Sequence, residues 1–403
     1  MDNAYSVIIA GGGMVGASMA LALAQQGFDV QIVDDSPLPT LSDSHVEMRV
    51  SAINRATQNF WRRLGVWQDI VTLGLSPYQV MTVWRKSHQQ IHFHAKDIGQ
   101  PDLGCIVEND VIRQALISHL DKHERVRWHN ERIEQVSSIG PNGVAVRTAS
   151  QQLNAALIIA ADGANSSIRT QLNIPLSMHD YGHHALVATF QAKAHLDTAW
   201  QRFLSDGPLA LLPLRDNRCS MVWSLPPEAS KNIMALSPER RCEVVAQHMD
   251  FRVGELVQLT DTYQFPLTMR QSRQYVGDGW ALVGDAAHTI HPLAGQGVNM
   301  GIMDVVALTH VLTEIKLRGR AIEHKQALHP YQRWRRSENR IMAKAMAFFK
   351  DGFSHPVPFI PEVLGRGMGL LDSIRPVKNK VIKQAMGLAG NIPASCRQLG
   401  LGG

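Results

Sequence analysis

The chain has 403 residues, 45% hydrophobic and 19% charged, with 31 glycines and 19 prolines. This is an ordinary globular composition, long enough for two or three domains, and it excludes disordered, collagen-like and coiled-coil chains. Forty Lys and Arg against 35 Asp and Glu leave a net charge of only +5, so composition predicts no nucleic-acid partner. Cys105, Cys219, Cys242 and Cys396 are scattered and form no C-x-x-C pair, which argues against a disulfide framework or zinc ribbon and fits a reducing cytoplasm.

Val7 to Ala24 is an uncharged run of eighteen residues, near the lower limit for a membrane span. Gly11, Gly12, Gly13 and Gly16 interrupt it, and no Lys or Arg precedes Arg49 to supply the basic flank of a signal peptide, so the run reads as buried core. The predicted elements are a strand from Ser6 to Ala10, a helix from Met14 to Gln26 and a second strand from Phe28 to Val33 that ends in Asp34. Gly11-x-Gly13-x-x-Gly16 lies between strand and helix. That spacing turns the backbone tightly, lets it approach a pyrophosphate and packs helix on sheet. The helix N-terminus, with its unpaired N–H groups, then faces the phosphates, which makes Gly11, Gly12, Gly13, Met14, Val15 and Gly16 a dinucleotide-binding segment. Asp34, eighteen residues past Gly16, stands where a carboxylate accepts hydrogen bonds from an adenosine ribose. NAD and FAD both suit this unit.

Two later strands also run into acidic loops. Leu157 to Ala161 leads to Asp162-Gly163, and Ala281 to Val283 leads to Gly284-Asp285, followed by His291-Pro292-Leu293-Ala294-Gly295-Gln296-Gly297-Val298-Asn299 and a long amphipathic helix. An acid just beyond a buried strand lies in the ligand crevice of an open α/β sheet. Asp285 could bind a ribityl or pyrophosphate-side hydroxyl, while Gly295 and Gly297 bring backbone donors close to a ring.

These three motifs, in this order, resemble those of the single-component FAD-dependent aromatic hydroxylases, the group A flavoprotein monooxygenases. Arg49-Val50-Ser51-Ala52-Ile53-Asn54, Leu64-Gly65-Val66-Trp67, Val107-Glu108-Asn109, Val222-Trp223-Ser224, Phe265-Pro266-Leu267 and Gln384-Ala385-Met386-Gly387-Leu388 resemble the ubiquinone-biosynthesis branch of that group. Asp180-Tyr181 through His184-Ala185-Leu186-Val187-Ala188 is most similar to the branch that hydroxylates polyprenylphenol. The resemblance implies FAD as cofactor, NAD(P)H as co-substrate, and insertion of one oxygen atom of dioxygen into an electron-rich phenol ring. It also implies that Arg49 lies along the FAD, Asn109 near the ribityl chain, and Asp162 and Gly163 in the flavin-binding unit. Gly284 and Asp285 would contact the ribityl or pyrophosphate region. Pro292, Gly295, Gln296, Gly297, Val298 and Asn299 would border the isoalloxazine, with Pro292, Gly295 and Gly297 nearest the chemistry. The family more often has Glu where Asp34 stands, one methylene longer, and Asp35 beside it is a substitute.

The expected organisation is α/β, mixed with α+β features. A Rossmann-like FAD-binding domain in three parts, 1–75, 105–178 and 271–345, holds a substrate-domain segment at 76–104 and an inserted β-sheet substrate domain at 179–270. A C-terminal helical region occupies 346–403. Short β-like runs at Ala185 to Phe190, Leu209 to Leu214 and Cys219 to Leu225 suggest a sheet over one flavin face, with Leu212, Pro213, Val222 and Trp223 as apolar pocket walls that keep water out. The alternatives are a hydroxylase of a small soluble aromatic, for whose carboxylate no Arg clamp stands in those walls, and a non-catalytic FAD-bearing scaffold subunit.

Eighteen histidines invite a metal, but no H-E-x-x-H or matched Cys/His spacing supports one, so none is expected. His288 and His291 flank the third motif and are placed to tune its proton balance. Near the end, Ile374, Val377, Val381, Ala385 and Leu388 recur at helical spacing beside Arg375, Lys378, Lys380 and Lys383. Such a helix either packs on its own domain or touches an anionic membrane surface. With a polyprenylphenol-type substrate, the expected location is cytoplasmic and peripheral to the inner membrane, where other ubiquinone-biosynthesis proteins are candidate partners.

Overall fold

The computed structural model describes residues 3–41, 48–193, 196–289, 297–353, 359–388 and Cys396. Ser6–Ala10 pairs in parallel with Leu157–Ala160 on one side and Asp29–Val33 on the other, at the middle of a six-stranded sheet. Every residue of Ser6–Ala10 and Leu157–Ala160 is buried. Apart from Ser6 their sequence is apolar throughout, as strands covered on both faces require. The helix Met14–Gln25 packs against Asn109–Leu120 and Gly297–Leu317, and its small residues Gly16, Ala17, Ser18, Ala20, Ala22 and Ala24 are all buried. Gly297–Leu317 is long and apolar enough to cross a membrane, yet two-thirds of its most apolar stretch (67%) is buried inside the fold.

A second, larger sheet runs in the order His288–Thr289, Tyr263–Ser272, Leu176–Ala192, Arg218–Leu225, Gly207–Pro213, Thr198–Leu204, Val80–Trp84 and Gln90–His94. All its neighbours in that order are antiparallel except Thr198–Leu204 with Val80–Trp84, which are parallel. Leu176–Ala192 and Tyr263–Ser272 run continuously through the expected boundaries at 178/179 and 270/271, paired from Leu176 opposite Ser272 onward.

Side chains on a strand alternate between faces, so each strand of this sheet divides its residues between two environments. Leu186, Phe190, Leu209, Leu211, Met221 and Trp223 form one core with Cys242, Val245 and Met249, the last two fully buried. Ala185, Val187, Pro208, Ala210, Leu212, Ser220 and Val222 face the other way and line a cavity. This parity corrects the expected pocket wall. Leu212 and Val222 line the cavity, but Trp223 is turned into the opposite core with its ring 5.0 Å from that of His248. Pro213, one residue past Leu212, does not line it either.

The strands Val50–Ile53, Gly104–Glu108 and Ser76–Tyr78 form a small antiparallel sheet between the two large ones. It delivers Arg49 and Asn109 side by side, the Asn109 amide donating to the Arg49 carbonyl at 2.9 Å. The chain continues through helices Lys325–Phe353, Phe359–Ser373 and Arg375–Ala385, the last packing Ile382 on Ala95 and Leu103.

Gly16 is where helix and strand come closest. A Cβ there would stand 1.9 Å from the Gly11 carbonyl oxygen, and Gly11, at φ +99°, itself abuts the Ala161 carbonyl. Backbone cannot yield as a flexible side chain does, so Gly16→Ala should cost about 3 kcal/mol of stability in urea unfolding. A loss below about 1 kcal/mol would mean the helix moves off the strand without penalty.

Candidate active site

The three motifs meet at one groove of about 500 Å³. Gly13, Met14 and Val15 border it from the first, Ala161 and Gly163 from the second, and Gly284, Asp285, Gly297 and Val298 from the third. Val15 is wedged between loop and helix: a Cβ at Gly284 would lie 3.2 Å from its side chain, and one at Gly301 2.7 Å. Arg169, buried, ties the second loop to the third by donating to the carbonyls of Ala164 at 2.8 Å and Ala286 at 3.0 Å.

Behind the third loop lies a buried charged network, with Asp304 at its centre fully shielded from solvent. The Asp304 carboxylate accepts from the Gly284 amide at 3.0 Å and from Arg335 Nε at 2.7 Å, and it meets His288 Nε2 at 2.5 Å. Tyr275 stacks on the His288 ring at 5.9 Å between centroids. Burial opposes the charge on Asp304, but the facing His288 and Arg335 outweigh it and hold its carboxyl below the ordinary range. Arg335 is held charged in turn, because Asp304 outweighs its own desolvation. Asp285, one residue past the bonded Gly284, opens toward the groove. The protein packed around it raises its carboxyl, as does the charge of Asp304, against the opposing pull of His288 and Arg270.

Other expected site residues stand behind the groove wall. Asp34 accepts from the Gly12 amide at 2.7 Å and the Ser36 amide at 3.0 Å, so it first shapes the glycine loop, with two oxygens that each retain further accepting capacity. Asp162 Oδ2 accepts from the Ile168 amide and the Ser167 hydroxyl at the start of a short helix. The Asn299 side chain corrects its expected place: it is 2% exposed and bonds Asn54, Thr57 and the Ala52 carbonyl, away from the groove. Pro292, Gly295 and Gln296 lie outside the described residues. Sequence reasoning did not single out Arg169, Asp304, Arg335 or Arg270, the last of which lines the groove from the large sheet. The Asp304 to Arg335 spacing of 31 residues carries no local signal.

A second cavity of about 470 Å³ adjoins the first, sharing Val50, Asn109 and Leu267 with it. Arg49 and Asn109 border it beside the face of the large sheet, and Arg49 is the one charged residue among the described lining residues. Asn109 Oδ1 accepts from the Ser51 hydroxyl at 2.7 Å, which fixes the side chain where the two spaces join.

The groove suits an FAD. A Cβ at Gly13 would meet nothing within 4 Å, so the space beside it is free for phosphate. The helix that starts there has no side-chain cap, which leaves its first N–H groups for an anion. The buried Asp162 Oδ1 has no partner among the described residues. Gly13, Met14 and the helix start would hold the pyrophosphate, with Asp285 at a sugar hydroxyl.

A family profile described as "FAD binding domain" matches residues 4–345. The 3-demethoxyubiquinol 3-hydroxylase of Escherichia coli (strain K12) is 37% identical over 393 residues, covering 95% of this chain and 98% of that protein. The mitochondrial ubiquinone biosynthesis monooxygenase COQ6 of Xenopus tropicalis is 32% identical, covering 94% of this chain and 92% of its own. Among solved structures, the p-nitrophenol 4-monooxygenase PnpA of Pseudomonas putida DLL-E4 superposes with a TM-score of 0.79 at 16% identity, over 97% of this chain and all of that one (100%), a likeness of fold.

Asp285→Asn separates binding from stability. A carboxyl whose proton is held more tightly in the folded chain weakens the fold as pH rises past its unfolded value of about 3.9. The apoprotein of this variant should therefore melt higher than the parent at neutral pH, with the difference vanishing below about pH 4. Its FAD affinity, read by flavin fluorescence titration, should fall roughly tenfold or more, since a charged acceptor is lost. Unchanged affinity would remove Asp285 from the cofactor site.

Proposed function

This chain belongs to the FAD binding domain family, and from that premise we propose that it is a ubiquinone-biosynthesis hydroxylase acting on the ring of a polyprenylphenol. The observation that carries the reading is the cavity beside the groove. Its sheet face is Ala185, Val187, Pro208, Ala210, Leu212 and Val222, interrupted only by uncharged polar groups, and its one charged lining residue, Arg49, stands off that sheet beside Asn109. An aromatic ring with a lipid tail fits such predominantly apolar walls.

When bound, FAD supplies the electron transfer from NAD(P)H and the activation of dioxygen. The chain's part is positional. Val50, Asn109 and Leu267 border both spaces and bring the substrate ring to the flavin end of the groove, while the apolar cavity walls exclude water that would divert the oxygen. A demethoxyubiquinol-type ring is the second candidate, favoured by the 37% identity to the E. coli relative that acts on it.

Purified protein should be yellow, and NADPH or NADH should bleach it faster when a polyprenylphenol is added. Under labelled dioxygen the product should carry one labelled oxygen on the ring. Stimulation by demethoxyubiquinol alone would select the second candidate; stimulation by hydroxybenzoate alone would contradict both.

The reading extends to location: a cytoplasmic protein that touches the inner membrane through Arg375–Ala385. Ile374, Val377 and Val381 are 47%, 43% and 45% exposed, while Ile382 and Met386 make the packed face. Lys378 turns inward to Asp372 at 3.3 Å and Asp97 at 3.6 Å, which leaves Arg375, Lys380 and Lys383 beside the exposed aliphatic side chains. Apolar insertion with a basic rim suits an anionic bilayer. In sedimentation with phosphatidylglycerol vesicles the protein should pellet, and Val377→Glu with Val381→Glu should leave it in the supernatant at unchanged FAD content. Equal pelleting of both would refute this contact.

A further inference from the structure

The large sheet carries two buried hydroxyl groups with no hydrogen-bond partner among the described residues, Ser220 on the cavity lining and Thr189 beside it. Ser220 stands directly across from Thr189 on the neighbouring strand and across from Leu212 on the other side. Ser220 lines the cavity together with Val222 and Ser224, and Thr189 shares the sheet face of Ala185 and Val187 by strand alternation. Both residues have no solvent exposure, and neither hydroxyl oxygen has a hydrogen-bond partner among the described residues. Their neighbours differ in this respect: Ser224 Oγ meets His183 Nδ1 at 3.1 Å, and the Thr189 amide is satisfied by Thr260 Oγ1 at 2.9 Å.

Buried hydroxyls are ordinarily paired, because leaving one unmade forfeits its hydration for no return. Alanine and valine would fill the same volume at no such penalty. The unpaired Ser220 hydroxyl among Ala210, Leu212 and Val222, with a second unpaired hydroxyl on Thr189 directly across the strand pair, therefore marks a place where an oxygen of the ligand belongs.

We propose that Ser220, supported by Thr189 across the strand pair, is a specificity-determining residue that recognises an oxygen substituent on the substrate ring. This rests on the ring-hydroxylase reading above. A hydroxyl can accept from a phenol O–H or donate to a ring hydroxyl or methoxy oxygen, so it suits a neutral, oxygenated ring and offers nothing extra to a hydrocarbon one. The surrounding Ala210, Leu212 and Val222 supply contact without direction. The Ser220 hydroxyl supplies direction, fixing which edge of the ring turns toward the sheet.

The test is a ligand and variant cycle on the FAD-loaded full-length protein. 2-Farnesylphenol and 2-farnesyltoluene, which differ by the ring oxygen, are titrated against the visible spectrum of the bound flavin. The parent should bind the phenol roughly 5- to 20-fold tighter than the toluene. Ser220→Ala should shrink that ratio to about twofold or less through loss of phenol affinity, at unchanged FAD content, and Thr189→Val should shrink it in the same direction by less. Full discrimination retained in Ser220→Ala overturns the assignment, and so does an equal loss for both ligands, which would make the hydroxyl a packing element. A parent protein whose flavin spectrum answers to neither ligand would overturn the ring-binding reading beneath it.

Discussion

A carboxylate with no contact with water holds the cofactor end of this molecule in place. Burying the Asp304 charge is costly unless its oxygens are filled, and here Gly284, His288 and Arg335 fill them. Each partner belongs to a different piece of chain: the loop after a parallel-sheet strand, the short strand His288–Thr289 and the helix Lys325–Phe353. Asp304 itself sits on Gly297–Leu317, whose first residues border the groove. Any slippage among these pieces strands a charge in a dry interior, so they have one low-energy arrangement. Because Gly284 is pinned from behind, the next residue, Asp285, is aimed at the groove without any bond of its own being needed to hold it there.

How much of this could be read from the sequence depended on how local the signal was. The strand, glycine turn, helix and second strand at the start were legible almost to the residue, because periodicity and glycine spacing act within a few residues. The convergence of Gly13, Gly163 and Asp285 was legible as well, since each lies just after a strand whose end must face one crevice. Pocket parity was not. A run such as 219–225 alternates between two buried faces, both partly apolar, so hydrophobicity alone did not separate Val222 from Trp223. The C-terminal helix was legible as amphipathic, but not which of its faces packs inward. Ile374, Val377 and Val381 of its aliphatic series lie on the outside, while Leu388 packs inward with Ile382 and Met386, and Lys378 is buried against Asp372. Arg169 and the Asp304 network were silent, because their meaning lies in partners 117 and 31 residues away.

The two spaces divide the chemistry by their linings. The groove offers backbone amides at a helix start, Asp285 and Arg270, groups suited to a long charged ligand. The cavity offers mostly apolar walls with a few neutral polar groups and the single cation Arg49 at its edge, suited to a ligand that brings little charge. Asn109, fixed by Ser51, stands at the seam, where a ligand from each side would come together.

The parallel pairing of Val80–Trp84 with Thr198–Leu204 has a consequence for how such a molecule is put together. Strands of the six-stranded sheet come from both before and after these segments, at Ser6–Ala10, Val126–His129 and Trp280–Leu282, so the two sheets are threaded through one another along the chain. No single scission yields two self-sufficient fragments. Neither layer can be swapped between relatives as a continuous cassette, and a ribosome must release most of the polypeptide before either layer has all its strands.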